Sequence, residues 1–167
     1  MGKHLPILES VAAVALIGAV AIVTALPGSR AARPDLQASA ELTDGVGLLR
    51  TAIFRFSMEH DAGEREVLMP GRGEADFVAQ LTGPSRRDGT TGLVDKPGGH
   101  DNRWYGPYLD AIPVNPVNGK NSVRSMPAGY AEPVMNGTAG WVYLPDTGEV
   151  FPDLPGVDAR GVKYSAY

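Results

Sequence analysis

The sequence LPILESVAAVALIGAVAIVTAL, residues 5–26, decides how the chain begins to fold. Its 22 residues are apolar or small except for Glu9, Ser10 and Thr24. As an α-helix the run spans about 33 Å, and the hydrocarbon core of a bilayer is about 30 Å thick. Because a carboxylate is costly in lipid, Glu9 needs a specific reason to lie there. The run therefore predicts a membrane-spanning helix over residues 5–27 that carries one functional acid.

The overall composition limits the classes of function that the protein can have. The chain has 167 residues, a formal net charge of −4 and no cysteine. This length suits one domain plus an anchor. Because the basic residues form no block, we expect no nucleic-acid partner. Disulfides and thiolate chemistry are excluded, and the sequence lacks a Gly-x-Ser-x-Gly elbow, a zinc-protease helix and a phosphate loop, so we do not expect an enzyme.

An amphipathic helix is predicted after the apolar run, over residues 28–62. Gly45 and Gly47 weaken a helix by about 1 kcal/mol each relative to Ala, so packing must hold this one. Gly63 predicts the C-terminal stop because glycine readily adopts the left-handed conformation. Five apolar residues at spacings of 4, 3, 4 and 3 share one helical face: Leu42, Val46, Leu49, Ile53 and Phe56.

The remainder of the chain is rich in glycine and proline and predicts short strands and turns. We expect a short helix at Glu74–Leu81, with Phe77, Val78 and Leu81 inward, and a weaker strand at Asn121–Arg124. Residues 141–151 predict a hairpin with a four-residue loop.

These elements predict an α+β fold. A long N-terminal α-helix, apolar in its first half, packs on a small antiparallel β-sheet. The expected organisation is a short leader at 1–4, a transmembrane or filament-core helix at 5–27, its amphipathic continuation at 28–62 and a globular β-rich head at 63–167.

The order of several short motifs resembles that of type IV pilin-like proteins, most closely the major pseudopilins of type II secretion. The resemblance covers nearly the whole chain, and its weight comes from the order of motifs that are individually weak. The motifs are Leu5-Pro6-Ile7-Leu8-Glu9, Gly18, Leu26-Pro27, Leu49 to Ala52, Glu59 to Asp61, Phe77 to Gly83, Tyr105 to Leu109, Ile112-Pro113, Asn115-Pro116, Gly140 to Tyr143 and Thr147 to Glu149.

The resemblance implies a structural subunit of a pseudopilus or related filament of a protein secretion system. It implies a single-pass protein of the bacterial inner membrane, with the head in the periplasm and later on an extracellular filament. The implied partners are further copies of the chain, other pseudopilins, the inner-membrane assembly platform, membrane lipid and the prepilin peptidase, which would expose Leu5 as a methylated N-terminus.

Glu9 and Leu5 are the implied assembly residues. In the family the acid pairs with the free N-terminal amine of an adjacent subunit, and opposite charges attract strongly where water is scarce. A plainer interpretation is that Glu9 lies at the headgroup boundary, where it costs little.

Small residues in the apolar run favour close helix packing. Ala15, Gly18 and Ala19 would let neighbouring helices approach in a bundle. An ordinary alanine-rich anchor has a similar composition and is the alternative interpretation.

Calcium is the one cofactor that the resemblance suggests, because major pseudopilins often bind it in a C-terminal loop. Asp146, Asp153 and Asp158 are the candidate ligands, since calcium prefers carboxylate and carbonyl oxygens. Pro152 and Pro155 interrupt their spacing, however, and solvated turn carboxylates are the favoured interpretation.

The remaining conspicuous side chains have structural interpretations. His60 is expected at a helix C-terminus, where a positive charge interacts favourably with the helix dipole. An acid–base role is not expected, because adjacency to Glu59 and Asp61 provides no convergent geometry. The large aromatic residues are expected to pack a small sheet: Trp104, Tyr105, Tyr108, Trp141 and Tyr143.

Two alternatives to a polymerising subunit stay open. An uncleaved chain could be a membrane-tethered periplasmic binding module that does not polymerise, because His4 rather than glycine precedes Leu5. A secreted enzyme with a removable signal would instead require a mature N-terminus beyond Leu26.

Overall fold

The computed structural model describes residues 32–61, 63, 67–71, 74–92 and 103–167. Within them the chain forms an α+β fold, as predicted. The elements are α1 (Ala32–Glu59), α2 (Glu74–Thr82), β1 (Val123–Ser125), β2 (Trp141–Leu144), β3 (Glu149–Pro152) and a 3-10 turn (Tyr164–Ala166). The leader at 1–4, the whole proposed span at 5–27 and residues 28–31 lie outside the described part. No helix in the described ranges is both long and apolar enough to cross a bilayer.

Helix α1 confirms the predicted apolar face. Its five members, from Leu42 to Phe56, are all buried, and the helix packs on β3. It ends at Glu59, and Gly63 has φ +92°, the conformation expected of a glycine beyond a helix C-terminus.

Gly45 has a packing reason that the sequence pattern does not reveal. A Cβ at this position would lie 2.8 Å from Cη2 of Trp141, which is closer than van der Waals contact allows. The indole is fully buried and held in place, because its Nε1 donates a 2.7 Å hydrogen bond to the Pro113 carbonyl. Gly45 therefore lets the sheet approach α1 closely.

The sheet is mixed, so the prediction of a purely antiparallel sheet is wrong. Strands β2 and β3 form the predicted antiparallel hairpin, with Trp141 opposite Pro152. Strand β1 pairs with β2 in parallel, with Val123 opposite Trp141. Residues 126–140 connect the two, and a parallel connection needs a dozen or more residues. This segment turns the chain back, so that β2 runs in the same direction as β1.

The core lies between the two helices and the sheet. Helix α2 confirms its prediction: Phe77 and Leu81 are fully buried, Val78 is partly buried, and Phe77 packs against Tyr143 with ring centroids 4.5 Å apart. Of the five aromatic residues that were expected to pack the sheet, four are buried or partly buried in the core. The fifth, Trp104, is 37% exposed, and Arg86 lies over its ring.

Candidate assembly helix and the polar networks that fix it

The predicted assembly and packing residues precede the described part of the chain. Leu5, Glu9, Ala15, Gly18 and Ala19 all lie outside the described residues. The structure describes α1, which begins at Ala32. Five residues, 27–31, separate α1 from the end of the apolar run at Leu26. The way in which α1 is fixed to the head decides whether a force on the N-terminal segment would reach the head.

One attachment of α1 is made by Arg50. Its guanidinium donates to the carbonyl oxygen of Val150 on β3, at 3.2 Å, and to the backbone oxygen of Tyr167. It also lies over the ring of Phe151, 5.7 Å from the centroid. Such a cation–π contact adds to the hydrogen bonds. Arg50 therefore joins the middle of α1 to the last strand and to the C-terminal segment.

A second attachment is made near the start of α1 by Asp158. This buried carboxylate accepts hydrogen bonds of 2.8 Å from the backbone N–H groups of Arg160 and Val162. It also binds the Arg160 guanidinium at 2.8 Å and the Tyr167 hydroxyl at 2.7 Å. The Ser39 hydroxyl of α1 reaches the same carboxylate at 3.5 Å. Asp158 thus orders the C-terminal loop against α1.

The pKa of Asp158 reflects this network. Burial alone would raise the pKa of the carboxyl group. The hydrogen bonds from Tyr167, Val162 and Arg160 outweigh burial and hold the pKa of Asp158 well below its usual range. The group is therefore a carboxylate at every physiological pH.

Asp153, directly after β3, plays a corresponding role for the sheet. It is fully buried and forms a 2.9 Å ion pair with Arg124 of β1. It also accepts hydrogen bonds from the backbone N–H groups of Asn136 at 2.8 Å and Ala139 at 3.0 Å. Burial would raise the pKa of Asp153, but Arg124 and the two N–H groups lower it below the ordinary value. Asp153 therefore fixes the long β1–β2 connection.

The expectation of solvated turn carboxylates is wrong for Asp153 and Asp158, because both are buried and paired. It is correct for Asp146, which is exposed and accepts a hydrogen bond from the Gly129 N–H. No group of three or more acidic or histidine side chains in the described part of the chain could hold a metal ion. Calcium binding stays a prediction, and the geometry gives the three carboxylates separate structural roles.

A buried polar cluster at the C-terminus of α1 was missed at the level of sequence. The imidazole of His60 stacks on Phe56, with centroids 3.8 Å apart. Its Nδ1 lies 2.9 Å from the Phe56 carbonyl oxygen, and its Nε2 lies 2.8 Å from the hydroxyl of Ser85. Beside it, the Tyr108 hydroxyl donates a 2.6 Å hydrogen bond to Glu59.

The contacts and the burial of His60 fit a neutral side chain. A carbonyl oxygen only accepts, so Nδ1 carries a proton, and in the neutral ring Nε2 accepts from Ser85. Burial lowers the pKa of His60 below its ordinary value, although the Phe56 carbonyl and the nearby acids oppose this effect. The expectation that His60 acts as a positive charge at the helix end is therefore wrong.

The contacts of this cluster indicate a structural role and not a catalytic one. A hydroxyl next to an imidazole is the arrangement of a nucleophile and its base. Ser85, however, is fully buried, and its backbone exchanges hydrogen bonds of 3.0 and 2.9 Å with Tyr105. A substrate does not reach this hydroxyl. The contacts of His60 and Glu59 tie the end of α1 to two segments of the head.

No protein-family model, curated protein or solved structure matches this chain. The sequence and the geometry of the described residues are therefore the basis on which a function is assigned.

Proposed function

We propose that the chain is a membrane-anchored structural subunit that assembles into a filament resembling a type II secretion pseudopilus. One observation carries the proposal: an apolar run is followed along the chain by a helix that is attached to the head. The 22-residue apolar run ends at Leu26, and the 28-residue helix α1 begins at Ala32. The inner face of that helix is buried against the head from Ser39 to Phe56. A force on the apolar segment would therefore be transmitted to the head.

In the proposed mechanism the apolar segment leaves lipid and enters a bundle of the same segments from other copies. Lipid contacts are exchanged for close contacts between helices, which small residues such as Ala15, Gly18 and Ala19 permit. The head remains outside the bundle and forms the filament surface. Other pseudopilins and the inner-membrane assembly platform are the proposed partners.

Glu9 supplies the register in this proposal. Within the bundle its carboxylate attracts the N-terminal amine of a neighbouring copy, at Leu5 if the leader is removed. The attraction is strong because little water is present to screen it. A subunit whose position along the bundle does not allow this pairing would leave a buried charge without a partner, which is costly.

Cysteine crosslinking tests assembly directly, because the chain has no cysteine of its own. The full chain with Ala15→Cys, oxidised in its native membrane, should give disulfide-linked dimers that disappear on reduction, because one cysteine per chain can join only two copies. The matched control is Glu132→Cys, an exposed position in the head, which should stay largely monomeric. If Ala15→Cys gives only monomers while the protein remains in the membrane, the filament proposal is wrong.

The role of Glu9 has its own test. Glu9→Ala should insert into the membrane normally and be depleted from filaments, whereas Glu9→Asp should retain part of the incorporation because it keeps the charge. Membrane fractionation measures insertion, and the subunit content of sheared filaments measures incorporation. Normal incorporation of Glu9→Ala would refute the register role.

A membrane-tethered binding module is the second candidate, and one observation favours it. A cavity of about 380 Å³ lies between the first turns of α1 and the C-terminal segment, lined in part by Asp35, Ser39 and Tyr164. Small-molecule sites commonly have such volumes. This candidate predicts monomers in the Ala15→Cys experiment, so the same measurement separates the two.

A further inference from the structure

The connection between β1 and β2 contains an exposed Asn136-Gly137 pair, and the chain has one further Asn-Gly pair, Asn118-Gly119. In such a pair the backbone nitrogen of the glycine can attack the side-chain amide of the asparagine, because no Cβ stands beside that nitrogen. Both glycines are left-handed, with φ +72° at Gly137 and +71° at Gly119. The two pairs therefore place the same dipeptide, in a similar backbone conformation, in different surroundings.

The side-chain carbonyl of Asn136 is held by two donors from one residue. Its Oδ1 accepts hydrogen bonds from the Thr138 N–H at 3.0 Å and from the Thr138 hydroxyl at 2.7 Å. When a nucleophile adds to Cγ, negative charge develops on this oxygen. Donors that are already in place at such an oxygen stabilise that charge. Thr138 therefore activates Cγ of Asn136 toward attack.

The attacking and leaving nitrogens at this pair are unrestrained. In the part of the chain that the structure describes, neither the Gly137 N–H nor Nδ2 of Asn136 donates a hydrogen bond. The nitrogen of Gly137 can lose its proton, and Nδ2 can leave, without breaking a contact. Because Asn136 is exposed, water reaches the same atoms.

At the second pair the same two nitrogens are both held. The Gly119 N–H donates a 2.8 Å hydrogen bond to the Asn115 carbonyl oxygen. Nδ2 of Asn118 donates another, also 2.8 Å long, to the carbonyl oxygen of Ala139. Its Oδ1 accepts a 3.1 Å bond from the Lys120 N–H and none from a hydroxyl among the described residues. An attack at Asn118 would have to break two hydrogen bonds.

We propose that Asn136 is a site of spontaneous deamidation in the folded protein and that the fold protects Asn118. The backbone nitrogen of Gly137 gives its proton to water and forms a bond to Cγ of Asn136. The Cγ–Nδ2 bond breaks, Nδ2 takes up a proton, and ammonia leaves behind a succinimide ring. One water molecule opens the ring at either carbonyl and gives aspartate or isoaspartate. The balance is an amide and water converted to a carboxylic acid and ammonia, with no change of oxidation state.

The position of Asn136 gives the reaction a structural consequence. The N–H groups of Asn136 and Ala139 bind the buried carboxylate of Asp153 at 2.8 and 3.0 Å. Either product places a new negative charge beside this carboxylate, and like charges repel. Isoaspartate also lengthens the backbone by one carbon between the two N–H groups. Deamidation should therefore loosen the connection at 126–140. This inference does not depend on the filament proposal.

Peptide mapping of the full chain tests the proposal. The protein in detergent is incubated at mildly alkaline pH, and samples are digested with trypsin. Asn136 and Asn118 fall in different products, 125–160 and 104–120, so mass spectrometry follows each conversion separately. Asn136 should react more than about tenfold faster, because two hydrogen bonds protect Asn118. Equal rates, or a faster reaction at Asn118, would overturn the proposal.

The denatured chain is the matched control for the role of the fold. In guanidinium chloride the hydrogen bonds of both pairs are lost, so Asn136 and Asn118 should react at similar rates. A difference that persists in the denatured chain would show that the neighbouring sequence, and not the folded geometry, sets the rates.

Substitution of Thr138 tests the activating contact. Thr138→Val keeps the shape of the side chain but removes the hydroxyl donor, and it should slow the reaction at Asn136 by about two- to tenfold. Thr138→Ser keeps the donor and should react nearly as the unmodified protein does. The rate at Asn118 should be the same in both variants. An undiminished rate at Asn136 in Thr138→Val would refute the role assigned to the hydroxyl.

Hydrogen exchange of the aged protein tests the structural consequence. Amide exchange across residues 126–140 should become faster as Asn136 is converted, while exchange in α1 should stay the same. Exchange that does not change with conversion would show that the contacts of Asp153 survive the reaction, against the loosening described above.

Discussion

Gly45 and Gly47 are two residues apart on α1, and so are Phe54 and Phe56. Two residues rotate the direction of a side chain by about 200°, so each pair has one member facing the head and one facing away. Gly45 lies against the Trp141 ring, whereas Gly47 has no atom above it. Phe56 is fully buried, whereas Phe54 is 62% exposed. The chain thus has the same residue types on two faces with different surroundings.

The comparison distinguishes the residues of α1 that stabilise the fold from those that are available for assembly. The inner face is complete within one copy, because the sheet, α2 and the polar clusters around His60 and Asp158 all hold it. The outer face has apolar residues that the described part of the head does not cover. A change on the inner face should therefore alter stability, and the same change on the outer face should alter association alone.

The phenylalanine pair should show the largest difference. Phe56→Ala removes a ring that stacks on His60 and meets Tyr108 edge-on, and such a truncation costs about 3–5 kcal/mol. Phe54→Ala should change stability by no more than about 0.5 kcal/mol, as at ordinary surface sites. Urea unfolding of the full chain in detergent, followed by tryptophan fluorescence, measures both. Similar losses in the two variants would contradict the division of α1 into two faces.

The two glycine substitutions should change the free energy of unfolding in opposite directions, and by less than Phe56→Ala. Gly45→Ala forces a Cβ against a fixed indole and should destabilise the fold by about 1–3 kcal/mol, as overpacking does. Gly47→Ala should stabilise the helix by roughly 0.5–1 kcal/mol, because alanine is the better helix former. The same unfolding measurement applies. A stabilising Gly45→Ala would show that the Trp141 ring moves freely, against the packing described above.

The pH dependence of stability that His60 causes should be the smallest of these effects. Burial lowers the pKa of His60 in the folded state, so the unfolded chain binds a proton more readily. The stabilisation linked to His60 should be fully present above about pH 6.5, the pKa of histidine in the unfolded chain. It should decrease as the pH drops from there toward the pKa of the folded state. The slope from one group cannot exceed about 1.4 kcal/mol per pH unit.

The control for this pH effect is His60→Gln, which should lower stability overall and lack the His60 share of the slope between pH 7 and 5. The other two histidines, His4 and His100, stay in place in both proteins. An unchanged slope in His60→Gln would show that another group produces the acid sensitivity.

Local patterns made part of this fold predictable from the sequence. The apolar face of α1 repeats every three to four residues, the hairpin at 141–152 follows from two runs of aromatic and β-branched residues around a turn, and α2 ends before Gly83. Each of these signals depends on residues within a few positions of one another. The same holds for Gly63 beyond the end of α1.

The features that were missed depend on contacts between distant parts of the chain. Ser39 meets Asp158 across 119 residues, and His60 meets Ser85 across 25. The parallel pairing of β1 depends on how residues 126–140 turn, which no short motif encodes. Three acids spread over a glycine-rich and proline-rich segment suggested turns, and only the fold shows that two of them are buried with guanidinium partners.

The central claim is that the apolar segment remains joined to α1 and brings copies of the chain together. N-terminal sequencing of the protein purified from its native membrane tests this most directly, because the apolar run must be present for any of the proposed contacts to form. The account predicts a first residue at Leu5 if the leader is removed, or at Met1 if it is kept. A mature chain that begins beyond Leu26 would contradict it.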